Sequence, residues 1–379
     1  MSRAAARLDG LGTTIFTEMS ALAERTGAIN LGQGFPDTDG PSAVIDAAVA
    51  ALRAGENQYA PLPGVPALRE AILEHQRRWY GLEPEEVLVT FGATEAIASA
   101  VMGLCDPGDE VIVFEPSYDS YTACVAFAGA TPRFVTLRPP DFTLDPDALR
   151  DAIEAGRGRV RAVLVNTPHN PTGRVLSRAE LQAIAGACIE HDLICITDEV
   201  YEHLVFEGEH IPPATLPGMA ERTLTISSVG KSFSVTGWKI GWCSGPEPLV
   251  AATRTVKQFL TFAGGTPLQH AAAAALRLPR AELGSLRDDL RAKRDQLCEG
   301  LAAAGLEPLV PAGTYFINAD VGTDSTQWCA RLPERCGIVA IPTSVFYDDK
   351  QAAPTLVRFA FCKRPEVIAE AARRLATLS

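Results

Sequence analysis

Four apolar runs in this chain each end in a polar loop punctuated by glycine or proline. Val163-Leu164-Val165 leads into residues 166–173, with Asn170 among them. Ile194-Cys195-Ile196 leads into Thr197-Asp198-Glu199-Val200-Tyr201. Residues 223–226 lead into Ser227-Ser228-Val229-Gly230-Lys231, and Val87-Leu88-Val89 leads into Thr90-Phe91-Gly92-Ala93-Thr94-Glu95, which opens a helical pattern. Open α/β sheets bind ligands beyond the carboxyl ends of their strands. An amide, a carboxylate, a primary amine and a helix start able to hold an anion would meet there. Taken singly, each has an ordinary role: Asp198 and Thr94 as helix caps, Asn170-Pro171 as a turn start, Lys231 as a solvated loop lysine. Gly-Lys-Ser at 230–232 does not complete a nucleoside triphosphate loop, because position 225 is Thr rather than Gly. No G-x-G-x-x-G follows a strand, so the dinucleotide fingerprint is missing.

The loops need a sheet to hold them. Between about 40 and 280, β-branched or apolar runs occur at 87–89, 110–114, 133–137, 160–166, 193–197, 223–227 and 239–243. Amphipathic segments such as 144–154 and 178–190 lie between them. This alternation predicts an α/β fold around a mostly parallel, buried sheet. After 280 a charged helix at 281–304 is followed by runs at 315–319, 337–341 and 356–361 and a last helix. The expected layout is a large domain over 41–280 and a smaller α+β domain made of 1–40 with 281–379.

Composition narrows the class of partner. The 379 residues suggest about two domains. Lys+Arg 34 against Asp+Glu 46 gives a net charge of −12, which argues against nucleic acid or an anionic membrane as partner. No apolar run approaches the ~20 residues of a spanning helix, and the polar stretch 1–9 has no apolar core after it. A cytoplasmic location is expected. The nine cysteines form no C-x-x-C pair and have no histidine at zinc spacing, so reduced core thiols and no metal site are expected. Gly 31 and Pro 27 mark many specified turns.

In order along the chain, the loops resemble the fold-type I (class I/II) aminotransferases that use pyridoxal 5′-phosphate. The likeness runs from Asn30-Leu31-Gly32-Gln33-Gly34-Phe35-Pro36 through Asn57-Gln58-Tyr59, Glu115-Pro116-Ser117-Tyr118, 166–173 and Asp198 to Tyr201. It ends with SSVGKSFSVTGWKIG at 227–241 and Val357-Arg358-Phe359. Within that family the chain is most similar to the branch of kynurenine/glutamine and bacterial methionine aminotransferases, and also resembles an actinobacterial N-succinyldiaminopimelate aminotransferase.

The resemblance implies a seven-stranded, mostly parallel sheet and a homodimer. It implies Lys231 as the amine that condenses with the cofactor aldehyde and later carries the proton. Asp198 would partner the ring nitrogen, while Tyr201 and Asn170 would donate to the ring's phenolate oxygen. Ala93, Thr94, Ser228 and Lys239 would cup the phosphate; many relatives have arginine at the last position. Tyr118 would stack on the ring, and Tyr59 would reach the neighbouring subunit's site. On the substrate side the resemblance implies Arg358 as carboxylate clamp and Gly34 as a backbone contact. Phe16 and Phe262 are expected as pocket walls. His169 stands where asparagine or glycine is common, and either reaches the site's edge or fills its loop. No second arginine is evident for a distal carboxylate. The expected reaction is ping-pong exchange of an amino group between an L-amino acid (methionine, glutamine, aromatic or kynurenine-like) and a 2-oxo acid. Alternatives are N-succinyldiaminopimelate transamination and cysteine-conjugate β-elimination.

Overall fold

A computed structural model describes residues 5–8 and 10–378. Residues 1–4, 9 and 379, which include part of the polar N-terminal stretch, lie outside the described residues. In chain order the strands are β1 (Ile29–Asn30), β2 (Glu86–Phe91), β3 (Glu110–Glu115), β4 (Thr131–Thr136), β5 (Val160–Asn166), β6 (Ile194–Asp198) and β7 (Thr223–Ser228). They continue with β8 (Ile240–Gly245), β9 (Glu307–Leu309), β10 (Phe316–Asp320), β11 (Ile338–Val339), β12 (Ile341–Pro342) and β13 (Leu356–Ala360).

The seven-stranded sheet has the order β2-β8-β7-β6-β5-β3-β4. Only β8 runs antiparallel to its neighbours. Its central strands are buried on both faces: every residue of β3, β6 and β7 is buried. Helices cover both faces of such a sheet, which is why these strands read as nearly continuous apolar runs rather than as alternating ones. A second, antiparallel sheet has the order β12-β13-β10-β9, and β1 pairs in parallel with β11. Leu31 packs in the same apolar cluster as Phe316, Ile338 and Phe359, so the segment after β1 is built into the C-terminal part of the chain.

The expected run 337–341 divides in two. Its first half pairs with β1 and its second with β13, so the two halves belong to different sheets. Position 239 is not strand: Lys239 adopts a left-handed conformation, φ 54°, immediately before β8. The expected helix 144–154 begins instead at Pro146, where Asp145 caps it by accepting from the Asp147 N–H and proline suits the first turn. Helix Arg178–Glu190 carries a full capping box between Ser177 and Glu180. No helix among the described residues is long and apolar enough to cross a membrane.

Candidate active site

The carboxyl ends of β2, β5, β6 and β7 open onto one cavity of about 390 Å³. Its walls include Phe16, Gly34, Ala93, Thr94, Tyr118, Asn170, Asp198, Tyr201, Ser228, Lys231, Lys239 and Arg358, twelve of the fourteen residues expected at the site.

Asp198 is the last residue of β6 and is buried. Tyr121 donates its hydroxyl to Oδ2 at 2.7 Å, and the Val200 N–H donates to Oδ1 at 3.3 Å. Burial pushes the carboxyl up to about 6, although Tyr121, the Val200 N–H and the charge of Lys231 all pull it down. Lys231 sits in the short helical turn Val229–Ser232 that follows β7. Its Nζ donates to the Gly34 carbonyl at 3.4 Å and lies 5.9 and 5.8 Å from the ring centres of Tyr201 and Tyr315. Removal from water lowers its pKa, so less proton has to be shed before the amine can act.

Arg358 comes from β13 and is fully buried. Its Nη1 donates to Asn170 Oδ1 and its Nη2 to the Gly32 carbonyl, both at 2.9 Å. The guanidinium rests 4.0 Å from the Phe316 ring centre and 4.7 Å from that of Phe346. Its Nε has no hydrogen-bond partner, and no carboxylate pairs with it among the described residues. Burial lowers its pKa to about 10. A buried cation without a counter-ion is costly, so this one is set to receive an anion from outside. The substrate-side loop is tied to the same strand's end. Lys363 Nζ donates to the Phe35 carbonyl at 2.7 Å, and the Arg364 N–H donates to Asp37 Oδ1 at 2.6 Å.

Gly92, Ala93 and Thr94, the first residues of helix Gly92–Leu104, line the cavity together with Ser228 and Lys239. Close approach is structural here. A Cβ on Gly241 would lie 2.5 Å from the Gly92 carbonyl carbon and 2.8 Å from the Ala93 nitrogen. Lys239 keeps a left-handed backbone that a non-glycine residue adopts at a cost. It lines the cavity with no ion pair among the described residues, so its charge is free for an anion.

Two expected residues lie elsewhere. Phe262 does not line its own chain's cavity: it is 43% exposed and meets the Tyr59 ring edge-on at 5.8 Å. Tyr59, 83% exposed, also stands outside it. His169 is buried, with Nδ1 at 2.7 Å from Thr172 Oγ1, and its pKa is pushed down to about 3 by burial, so it fills its loop as a neutral ring. All nine thiols are free, seven of them buried.

Sequence reasoning missed Tyr121, Asn166, Tyr315 and Phe316. Tyr121 lies in the first turn of helix Ser120–Phe127, and its ring meets that of Tyr118 edge-on at 5.7 Å. Asn166 accepts the Asn170 N–H at 2.8 Å and donates to the Asp198 carbonyl at 2.8 Å. Tyr315 donates to the Gly34 carbonyl at 2.6 Å. No local signal announces that contact, because its partner is 281 residues away.

A lysine amine and a guanidinium without a paired carboxylate share one cavity at the ends of a mostly parallel sheet, an arrangement that fits the transaminase class to which the family and the relatives assign this enzyme. The chain belongs to the aminotransferase class I and II family, whose profile matches residues 26–375. It is similar to the methionine aminotransferase of Escherichia coli, 42% identical over 98% of this chain and 97% of that one. It is 41% identical to the mouse kynurenine–oxoglutarate transaminase 3, over 96% of this chain and 88% of the relative. The solved N-succinyldiaminopimelate aminotransferase of Mycobacterium tuberculosis superposes with a TM-score of 0.96 at 52% identity, over 99% of this chain and 100% of that one. Its α/β fold with a seven-stranded, mostly parallel sheet is thus the fold-type I architecture.

Proposed function

We propose that this transaminase works with pyridoxal 5′-phosphate and moves the amino group of a neutral L-amino acid (methionine, glutamine or an aromatic, kynurenine-like donor) to a 2-oxo acid in two half-reactions. The observation that carries the reading is one cavity holding the Lys231 amine, the buried Asp198 carboxylate and the uncompensated Arg358 guanidinium. The donor set suits the cofactor: an anion cup at the helix start, a carboxylate behind it and an amine between. When bound, the cofactor supplies an aldehyde that takes up amino groups and a protonated ring that draws electrons from the substrate's Cα.

The chain's residues divide the remaining work. Ala93, Thr94, Ser228 and Lys239 would hold the phosphate, and Tyr118 would cover the ring face. Asp198 would partner the ring nitrogen and keep it protonated, and Tyr201 and Asn170 would donate to the ring's oxygen. Lys231 Nζ would act as the general base that takes the proton from the substrate's Cα and holds it for return. Arg358 and the Gly34 backbone orient the substrate's carboxylate end, and Phe16 shields that end from water.

The reading includes a homodimer in which Tyr59 serves the neighbouring site and Phe262 supports it; their exposure as an edge-on aromatic pair favours this. It also includes a cytoplasmic enzyme without nucleic-acid or membrane partners. We keep the division into 41–280 and 1–40 with 281–379, supported by the β1–β11 pairing.

A second reading, N-succinyldiaminopimelate as donor, is favoured by the 52% identity to the mycobacterial enzyme. Incubating the holoenzyme with each donor and, in turn, several 2-oxo acids, neutral ones included, followed by amino-acid analysis, tests both. Stoichiometric formation of the new amino acid from one donor class selects it. Ammonia and pyruvate released from a cysteine conjugate without any oxo acid would show β-elimination instead.

A further inference from the structure

The proposed function accounts for the two polar ends of the donor and leaves open what its side chain meets. With the carboxylate on Arg358 and the reacting nitrogen at Lys231, the side chain is left the remaining open side. Thr14, Phe16, Tyr118 and Asp119 border it. Thr14, Tyr118 and Asp119 also border a wider outer groove of about 750 Å³, so they form the mouth between the two. Asp119 is the one charged residue of this set. It precedes helix Ser120–Phe127, where the backbone N–H groups of Asp119 and Ser120 support its carboxylate, and it forms no ion pair among the described residues. It is half-buried and feels the charge of Arg358, which in turn feels Asp119. The cations lining the cavity are Lys231, Lys239 and Arg358. The proposed chemistry engages all three, and among the described residues no other cation lines the cavity for a second carboxylate.

We propose, on the basis of the transaminase reading, that Asp119 selects the donor's side chain: it repels a distal carboxylate and accepts a hydrogen bond from a distal N–H. Acidic donors are then disfavoured by like charge in a partly desolvated mouth, and side chains bearing an amide, aniline or indole N–H are favoured over those without one. Nothing in this role touches the reacting atoms, so Asp119 is a specificity residue and not a catalytic one.

Single-turnover half-reactions of the holoenzyme with methionine, glutamine and glutamate test it, because methionine has neither distal charge nor N–H and so cancels any general damage. In Asp119→Asn the glutamate-to-methionine ratio of kcat/KM should rise about tenfold while the glutamine-to-methionine ratio holds. In Asp119→Leu the glutamine-to-methionine ratio should fall about tenfold. Unchanged ratios in both variants overturn the proposal. Calorimetry with two non-reacting acids gives an independent readout: succinate should bind more tightly to Asp119→Asn while hydrocinnamate does not change. Equal succinate affinity in wild type and variant also overturns it. If the wild type moves no amino group from any donor, the transaminase reading fails, and the calorimetry still judges Asp119.

Discussion

Tyr121 donates its hydroxyl to Asp198 at 2.7 Å, and both residues are buried. The bond stabilises the ionised carboxylate against a burial effect that drives it toward the neutral acid. Asp198 can hold a proton on a ring nitrogen only while it is itself ionised. Activity should therefore be lost as pH falls through about 6, where burial has placed the carboxyl. In Tyr121→Phe one donor disappears. A hydrogen bond to a charged group is worth roughly 1.5–3 kcal/mol, or about one to two pH units. The acid limb of kcat/KM should move upward by about that amount, with little change on its plateau. A limb that stays in place would detach Tyr121 from Asp198's ionisation.

Lys231→Ala should abolish transamination. In the wild type, borohydride reduction should fix a phosphopyridoxyl mass on the peptide containing Lys231, and peptide mass spectrometry should find none in the variant. Retained turnover in the variant would remove Lys231 from catalysis.

Arg358→Ala should lower kcat/KM for every amino acid by about a thousandfold, the scale of losing a buried, hydrogen-bonded charge pair. Cofactor content per chain should not change, since the guanidinium's hydrogen bonds run to Asn170 and Gly32 rather than to the helix start. Loss of cofactor with intact substrate affinity would reassign it.

Gly241→Ala places a methyl where the backbone of Gly92 and Ala93 already lies. Strand β8 and the start of helix Gly92–Leu104 must then separate. Cofactor affinity, measured by dialysis and absorbance, should fall at least tenfold while the thermal midpoint drops only modestly. An unchanged affinity would mean that the helix start does not carry the phosphate.

Tyr59→Ala and Lys231→Ala should each be inactive alone and regain activity when unfolded and refolded as a mixture. In a mixed pair one site would have both an intact Lys231 from its own chain and an intact Tyr59 from the other. No recovery, or a monomer by light scattering, would refute a shared site.

Much of this site could be read before the fold was known, and the reason is local. Asn170, Asp198, Lys231 and Thr94 each follow an apolar strand directly, so strand and loop appear together in the sequence. The residues that were missed owe their places to long-range packing. Phe316 supports Arg358 from a strand 42 residues earlier in the chain, which pairs with β13 through Asn318 and Arg358. Phe262 is an aromatic near the right loops, but its position, φ 59°, turns it outward onto Tyr59. Side-chain direction at such a turn is set by backbone geometry that residue type does not disclose.

The bonds from Arg358, Lys363 and Arg364 to the loop 32–37 join segments 326, 328 and 327 residues apart. Closing so long a span carries an entropic cost that only the finished contacts offset. Arg358, Lys363 and Arg364 are also synthesised late, so the carboxylate clamp can be completed only when nearly the whole chain is available. A chain still on the ribosome has its sheet and its lysine long before it can recognise an amino acid. Cleavage anywhere that frees residues 30–37 from β13 would leave a folded sheet with no means of selecting a substrate.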